Sequence, residues 1–166
     1  MIVCLVFTGV AEGSENWKAF FAPESKCQVS FPIHPQHVKE RLFLPMVQTW
    51  VEYDVYLSPL KQQAIFVMMI AEYPKKIEDH QVSACLESFL QGMVGKHGGN
   101  TLIFADINEI KGKKALEFFL QMDRTFFRGK IFVADRKLFL LAVETLEEKE
   151  TENLFHPFAE SFQFTK

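Results

Sequence analysis

The spacing of apolar and polar positions along the chain predicts a protein built mainly of strands. Residues 64–74, AIFVMMIAEYP, hold an unbroken apolar run that ends at Glu72 and Pro74. Its length, its members Ile65, Phe66, Val67, Ile70 and Tyr73, and the closing proline favour a strand over a helix. No polar residue alternates through it, so both of its faces are expected to be covered, as in a middle strand. Residues 27–31 alternate, with Cys27, Val29 and Phe31 on one face and Gln28 and Ser30 on the other, and Pro32 closes the run. Residues 38–46 continue in an extended pattern until Pro45, which cannot donate to a ladder and so predicts an edge strand or a strand end. Residues 49–57 alternate again: Thr49, Val51, Tyr53, Val55 and Leu57 share one face, and Trp50, Glu52, Asp54 and Tyr56 share the other. Residues 58–62, with Pro59, are expected to turn the chain back into the apolar strand.

Beyond Pro74 the period changes. Val82, Cys85, Leu86, Phe89, Leu90, Met93, Val94 and His97 recur at spacings of three and four, which predicts an amphipathic helix with Asp79 as N-cap and Gly98-Gly99 as its stop. Residues 101–110, 115–122, 126–134 and 138–144 then read as a meander of four strands. A last helix is expected near Glu147, carrying Leu154, Phe158 and Phe162 inward. Pro157 lies inside that stretch, and an interior proline costs a helix about 3 kcal/mol. A shorter helix beginning close to Pro157, or a break there, is therefore expected. The fold class is α+β: a mainly antiparallel sheet of about seven strands flanked by two or three helices. Residues 1–16 form an apolar segment and connector, and residues 17–166 are expected to form one α+β domain.

Composition narrows the function classes. A chain of 166 residues with 48% hydrophobic content and 18 phenylalanines has material for one sizeable core. A net charge of −3 leaves no basic excess to neutralise a phosphate backbone, which argues against nucleic acid as a partner. The basic clusters at 111–114 and 124–130 sit beside predicted turns, where solvated charge is the ordinary reading. Cys4, Cys27 and Cys85 match no metal or redox spacing and read as small hydrophobes. The apolar stretch at 2–10 resembles the core of an export signal but has no basic residue before it, and it is too short to span a bilayer. Localisation therefore stays open between cytoplasmic and exported.

The pattern resembles a known family. Trp17, Phe20-Phe21, Pro23-Glu24, the VSFP at 29–32, the strand ending Glu72-Tyr73-Pro74, the helix and meander, and the closing FAESF at 158–162 look like the PsbP-like family. That family includes the extrinsic PsbP subunit of the oxygen-evolving complex, a Ran-binding nuclear-import factor and many small bacterial exported proteins. The resemblance implies an antiparallel sheet sandwiched by helices that serves as a binding or accessory module, with no shared catalytic residues and no cofactor. Cys4 lies near the start of the apolar stretch and not after it, so it does not stand where a lipobox cysteine would. The clustered surface charge of the photosynthetic and GTPase-binding members is also lacking, so neither specific role is carried over.

No arrangement of residues carries chemistry with comparable weight. His34 and His37 are close in sequence, but Pro35 lies between them and no further ligand stands at metal spacing. Cys85 with His80, or Cys27 with His34, would be a nucleophile and base only if the thiols left the core. Asp106 with Glu52 or Asp54 would need to converge across strands. The face of the 49–57 strand that bears Trp50, Glu52, Asp54 and Tyr56 is the candidate partner-binding surface, because Trp and Tyr join a large contact area to a polar handle. The function expected is a non-catalytic module that binds another protein. The alternative is a carrier or enzyme with an apolar pocket between sheet and helix.

Overall fold

The computed structural model describes residues 16–44, 48–96 and 98–166. The apolar stretch at 2–10, Cys4, Pro45 and His97 lie outside the described residues. The strands are β1 (Lys18–Ala22), β2 (Cys27–Phe31), β3 (Gln36–Leu44), β4 (Thr49–Leu60), β5 (Ala64–Glu72), β6 (Thr101–Ile110), β7 (Lys113–Gln121), β8 (Phe126–Ala134), β9 (Lys137–Thr145) and β10 (Gln163–Phe164). Two helices, α1 (Asp79–Gly95) and α2 (Glu148–Glu160), complete the fold with a short 3-10 turn at Pro23–Ser25. Seven strands form one antiparallel sheet in the order β3-β4-β5-β9-β8-β7-β6, and β1, β2 and β10 form a small second sheet.

The apolar run is an interior strand of the large sheet, paired on both sides with β4 and β9. Its alternate residues go to opposite cores. Phe66, Met68 and Ile70 pack under the small sheet and α2, with Val29, Phe31, Phe139, Phe155, Phe158 and Phe162. Ala71, Val67 and Met69 pack towards α1, whose Val82, Leu86 and Leu90 are buried against Leu116, Phe118, Ile131 and Leu140. A period-2 strand between two layers needs apolar residues on both faces, and this explains why the run does not alternate.

Three local expectations are corrected. The N-cap of α1 is Glu78, not Asp79, and its N–H is held at 3.3 Å by the side chain of Gln81 three residues on. β4 runs past Ser58 and Pro59 to Leu60, and the turn falls on Lys61–Gln63, with Gln63 N–H bonded to Leu60 O at 3.0 Å. α2 is continuous through Pro157. The proline removes one hydrogen bond to Asn153, which is exposed so that water can take its place, while Phe155, Phe158 and Ala159 are buried and hold the helix to the sheet.

Two glycines are required by geometry. At the β6–β7 turn Lys111 and Gly112 both have positive φ, 46° and 76°, as a tight two-residue hairpin turn demands. Gly129 in β8 faces the ring of Phe118, whose Cζ would lie 2.6 Å from an added Cβ.

Candidate functional site

β3 and β4 form the outer hairpin of the large sheet. Their register sets four residue pairs side by side on the face turned towards the small sheet: His37 with Tyr56, Lys39 with Asp54, Arg41 with Glu52, and Phe43 with Trp50. Two charged rungs thus lie between two aromatic rungs. The Phe43 and Trp50 rings are 5.5 Å apart, and Trp50 is 58% exposed. Glu52 stands 3.8 Å from both Lys39 and Arg41. Asp54 holds His37 Nε2 at 2.7 Å, and the His37 ring stacks on Tyr56 at 4.5 Å with only 9° between planes.

The ladder is graded from core to solvent. Tyr56 is half-buried against Phe20 of β1, ring centroids 5.0 Å apart, and burial together with the nearby Asp54 carboxylate pushes its hydroxyl up to about 12. Next to it Ser58 is fully buried and bonds the backbone of Ile33 in both directions, anchoring the loop that delivers β3. At the far end Trp50 and Phe43 have no such cover among the described residues. Of the four residues singled out from sequence, Trp50 and Glu52 are exposed, Asp54 is engaged by His37, and Tyr56 is partly built into the core. Their cross-strand neighbours His37, Lys39, Arg41 and Phe43 were not part of that reading. Only the register of β3 against β4 brings them in, and register follows from the turn as well as from alternation.

The other sequence candidates do not converge. The His34 ring packs against Phe20 at 5.7 Å while His37 turns to Asp54 and Tyr56. Among the described residues no three His, Cys, Asp or Glu side chains gather as a metal site. Cys27 is buried, and burial pushes its thiol up to about 11 despite the nearby Lys137. Burial likewise raises Cys85, outweighing its hydrogen bond with Tyr73. Asp106 pairs in register with Glu117, at the opposite edge of the sheet from Glu52 and Asp54.

The expectation of solvated charge at 124–130 is corrected at Arg128 and Lys130, while Arg124 is exposed as expected. Arg128 is 8% exposed and donates to Glu117 Oε1 from Nε at 3.1 Å and from Nη2 at 2.6 Å. Its third contact is Glu152 of α2 at 3.2 Å. Lys130 stands 3.3 Å from Glu117 Oε2, and Asn108 donates to the same oxygen at 2.8 Å. The Arg128 guanidinium lies 5.2 Å from the Phe104 ring and 5.4 Å from that of Phe155. Burial pushes the Glu117 carboxyl up, but bonds from Arg128 and Asn108 and the charge of Lys130 outweigh it, leaving the group below the usual carboxylate value.

On the opposite side of the sheet, a groove of about 490 Å³ runs between α1 and β6. Leu90, Val94, Leu102, Ile107 and Leu116 line it, with Glu87 and Gln91 among its polar members. Among the described residues no helix is long and apolar enough to cross a membrane.

The molecule has the PsbP-like fold, an antiparallel sheet covered by helices on both faces. It is similar over 95% of both chains to the solution structure of cyanobacterial PsbP (CyanoP) from Synechocystis sp. PCC 6803, with a TM-score of 0.61 and 17% sequence identity. A crystal structure from Bacteroides thetaiotaomicron covers 91% of this chain and 49% of its own, at 7% identity and a TM-score of 0.44. No family model matches the chain, and no curated protein matches it in sequence.

Proposed function

We propose that the protein is a non-catalytic accessory module that binds a partner protein through the β3–β4 ladder. The observation that carries this reading is the exposed Phe43–Trp50 pair at the end of a charged cross-strand ladder. An exposed tryptophan held by a neighbouring ring is a ready anchor for a partner, and the charged rungs beside it supply orientation more than affinity. The fold shared with cyanobacterial PsbP is consistent with a module that works by surface contact. The test is crosslinking and affinity capture from extracts of the source cell, with Trp50→Ala alongside the wild type. Trp50 is exposed, so its truncation leaves the core intact; Tyr56 packs on Phe20, so Tyr56→Phe is the cleaner probe of that end. A protein captured by the wild type and lost with Trp50→Ala supports the reading. Capture that survives the substitution in a folded variant refutes the patch.

A second reading is supported by the α1–β6 groove. Its volume lies within the range of roughly 300–1,000 Å³ typical of ligand sites, and its lining is mainly apolar. It would make the protein a carrier of a small apolar ligand. Titration with a fluorescent fatty-acid analogue, against a Leu102→Glu variant, tests it. Saturable binding that the variant loses supports a carrier, and absence of binding removes it.

A further inference from the structure

We propose that β3 accepts an extended segment of a partner protein as an added strand, and that this segment alternates acidic and apolar residues. The inference rests on the partner-binding reading above and names the chemistry of what binds there. β3 ends the seven-strand sheet: β4 pairs with one side of it, and among the described residues no strand pairs with the other. Such an edge presents free N–H and C=O groups to any chain able to approach it. A segment that adds as a strand gains affinity from those groups and selectivity from alternate side chains.

The register states which side chains that segment would meet. On the ladder face the outermost row is His37, Lys39, Arg41 and Phe43, and the carboxylates of Asp54 and Glu52 stand one strand further in. Glu52 is shared between Lys39 and Arg41 at 3.8 Å each, beyond hydrogen-bond reach. Both cations are well exposed, at 52% and 67%, and keep donors for a second carboxylate. Acidic residues two apart on an added strand would stand beside them, with the intervening apolar residues turned to the reverse face. On the reverse face Val38 and Leu42 are 42% and 51% exposed and suit apolar neighbours, and Glu40 between them accepts a 2.6 Å hydrogen bond from the Tyr53 hydroxyl. The same cations repel a basic strand, and a second copy of this edge would bring Lys39 and Arg41 against their own kind. The row therefore admits one charge pattern and rejects others. The β6 edge at the far end carries no row of like charges on one face: its two acids, Asp106 and Glu109, fall on opposite faces among Leu102, Ile103 and Ile107.

The test uses the full chain and a synthetic peptide as long as β3 that alternates glutamate and valine, followed by amide chemical-shift mapping. Its lysine–valine counterpart is the control. The expected result is a set of shifts concentrated in β3, with the acidic peptide bound about tenfold or more tightly than the basic one. The Lys39→Gln, Arg41→Gln double variant should weaken the acidic peptide by about fivefold, the size of two exposed ion pairs. Strand addition uses only one edge of the peptide. N-methylation at one set of alternate residues should therefore abolish binding, and N-methylation at the other set should leave it. Equal binding of both peptides, shifts elsewhere, indifference to the methylated set, or no binding would overturn the proposal. A partner lost with Trp50→Ala in the capture experiment would leave the module reading standing even then.

Discussion

On β7 and β8, Glu117 stands between Arg128 and Lys130; on β4 and β3, Glu52 stands between Arg41 and Lys39. The residue types match, and both trios bridge neighbouring antiparallel strands. Burial separates them. The Glu117 trio has side-chain exposures of 10%, 10% and 14%, is closed over by Phe104, Phe155 and α2, and makes hydrogen bonds down to 2.6 Å. The Glu52 trio is more than half exposed throughout and comes no closer than 3.8 Å. Charges removed from water must satisfy one another or the fold fails, whereas charges left in water lose little when a partner displaces them. The first trio therefore fixes α2 on the sheet, and the second remains available to another molecule.

The comparison can be broken most severely at Glu117. Glu117→Ala removes the carboxylate shared by the buried Arg128 and by Lys130 and leaves Arg128 only its contact with the exposed Glu152, so a loss of about 3–5 kcal/mol is expected in denaturant unfolding. Gly129→Ala, in the strand that carries Arg128, drives a methyl group into Phe118 and Ala142 and should cost about 1–3 kcal/mol by overpacking. The matching change on the outer hairpin, Glu52→Gln, should cost less than about 1 kcal/mol. A large loss there would mean that the outer trio is structural too.

Acid titration sharpens the same contrast. The folded Glu117 carboxyl lies below the ordinary value of 4.5, so its contribution to stability is present above that value and is lost as pH falls through the folded pKa. The stability gap between wild type and Glu117→Gln should narrow as pH drops below 4.5. The smallest effect is expected at the thiols. Cys27 and Cys85 are both raised by burial, so peptide mapping after brief alkylation of the native protein near pH 8 should find each unmodified.

Much of the architecture was legible in the sequence because β2 and β4 alternate with period 2 and Pro32, Pro74 and Gly112 mark where strands end. β2, β6 and β8 lie where alternation puts them, and Phe158 and Phe162 face inward. What stayed hidden depends on neighbours remote in the chain. Arg128 reads as a solvated charge until Glu117, Asn108 and Glu152 are brought around it from three other elements. Pro157 reads as a helix break until the packing of Phe155 and Phe158 outweighs the lost hydrogen bond. Trp50, Glu52, Asp54 and Tyr56 share one face by alternation alone, but that Tyr56 is tied to the core while Trp50 is free follows only from where β1 lies.

On the proposed reading, the exposed end of the β3–β4 ladder serves recognition and not stability. Side-by-side thermal melting and partner capture of the wild type and the Trp50→Ala variant test it most directly. An unchanged melting temperature together with loss of the captured partner is expected. Full capture by a variant that melts like the wild type would contradict it.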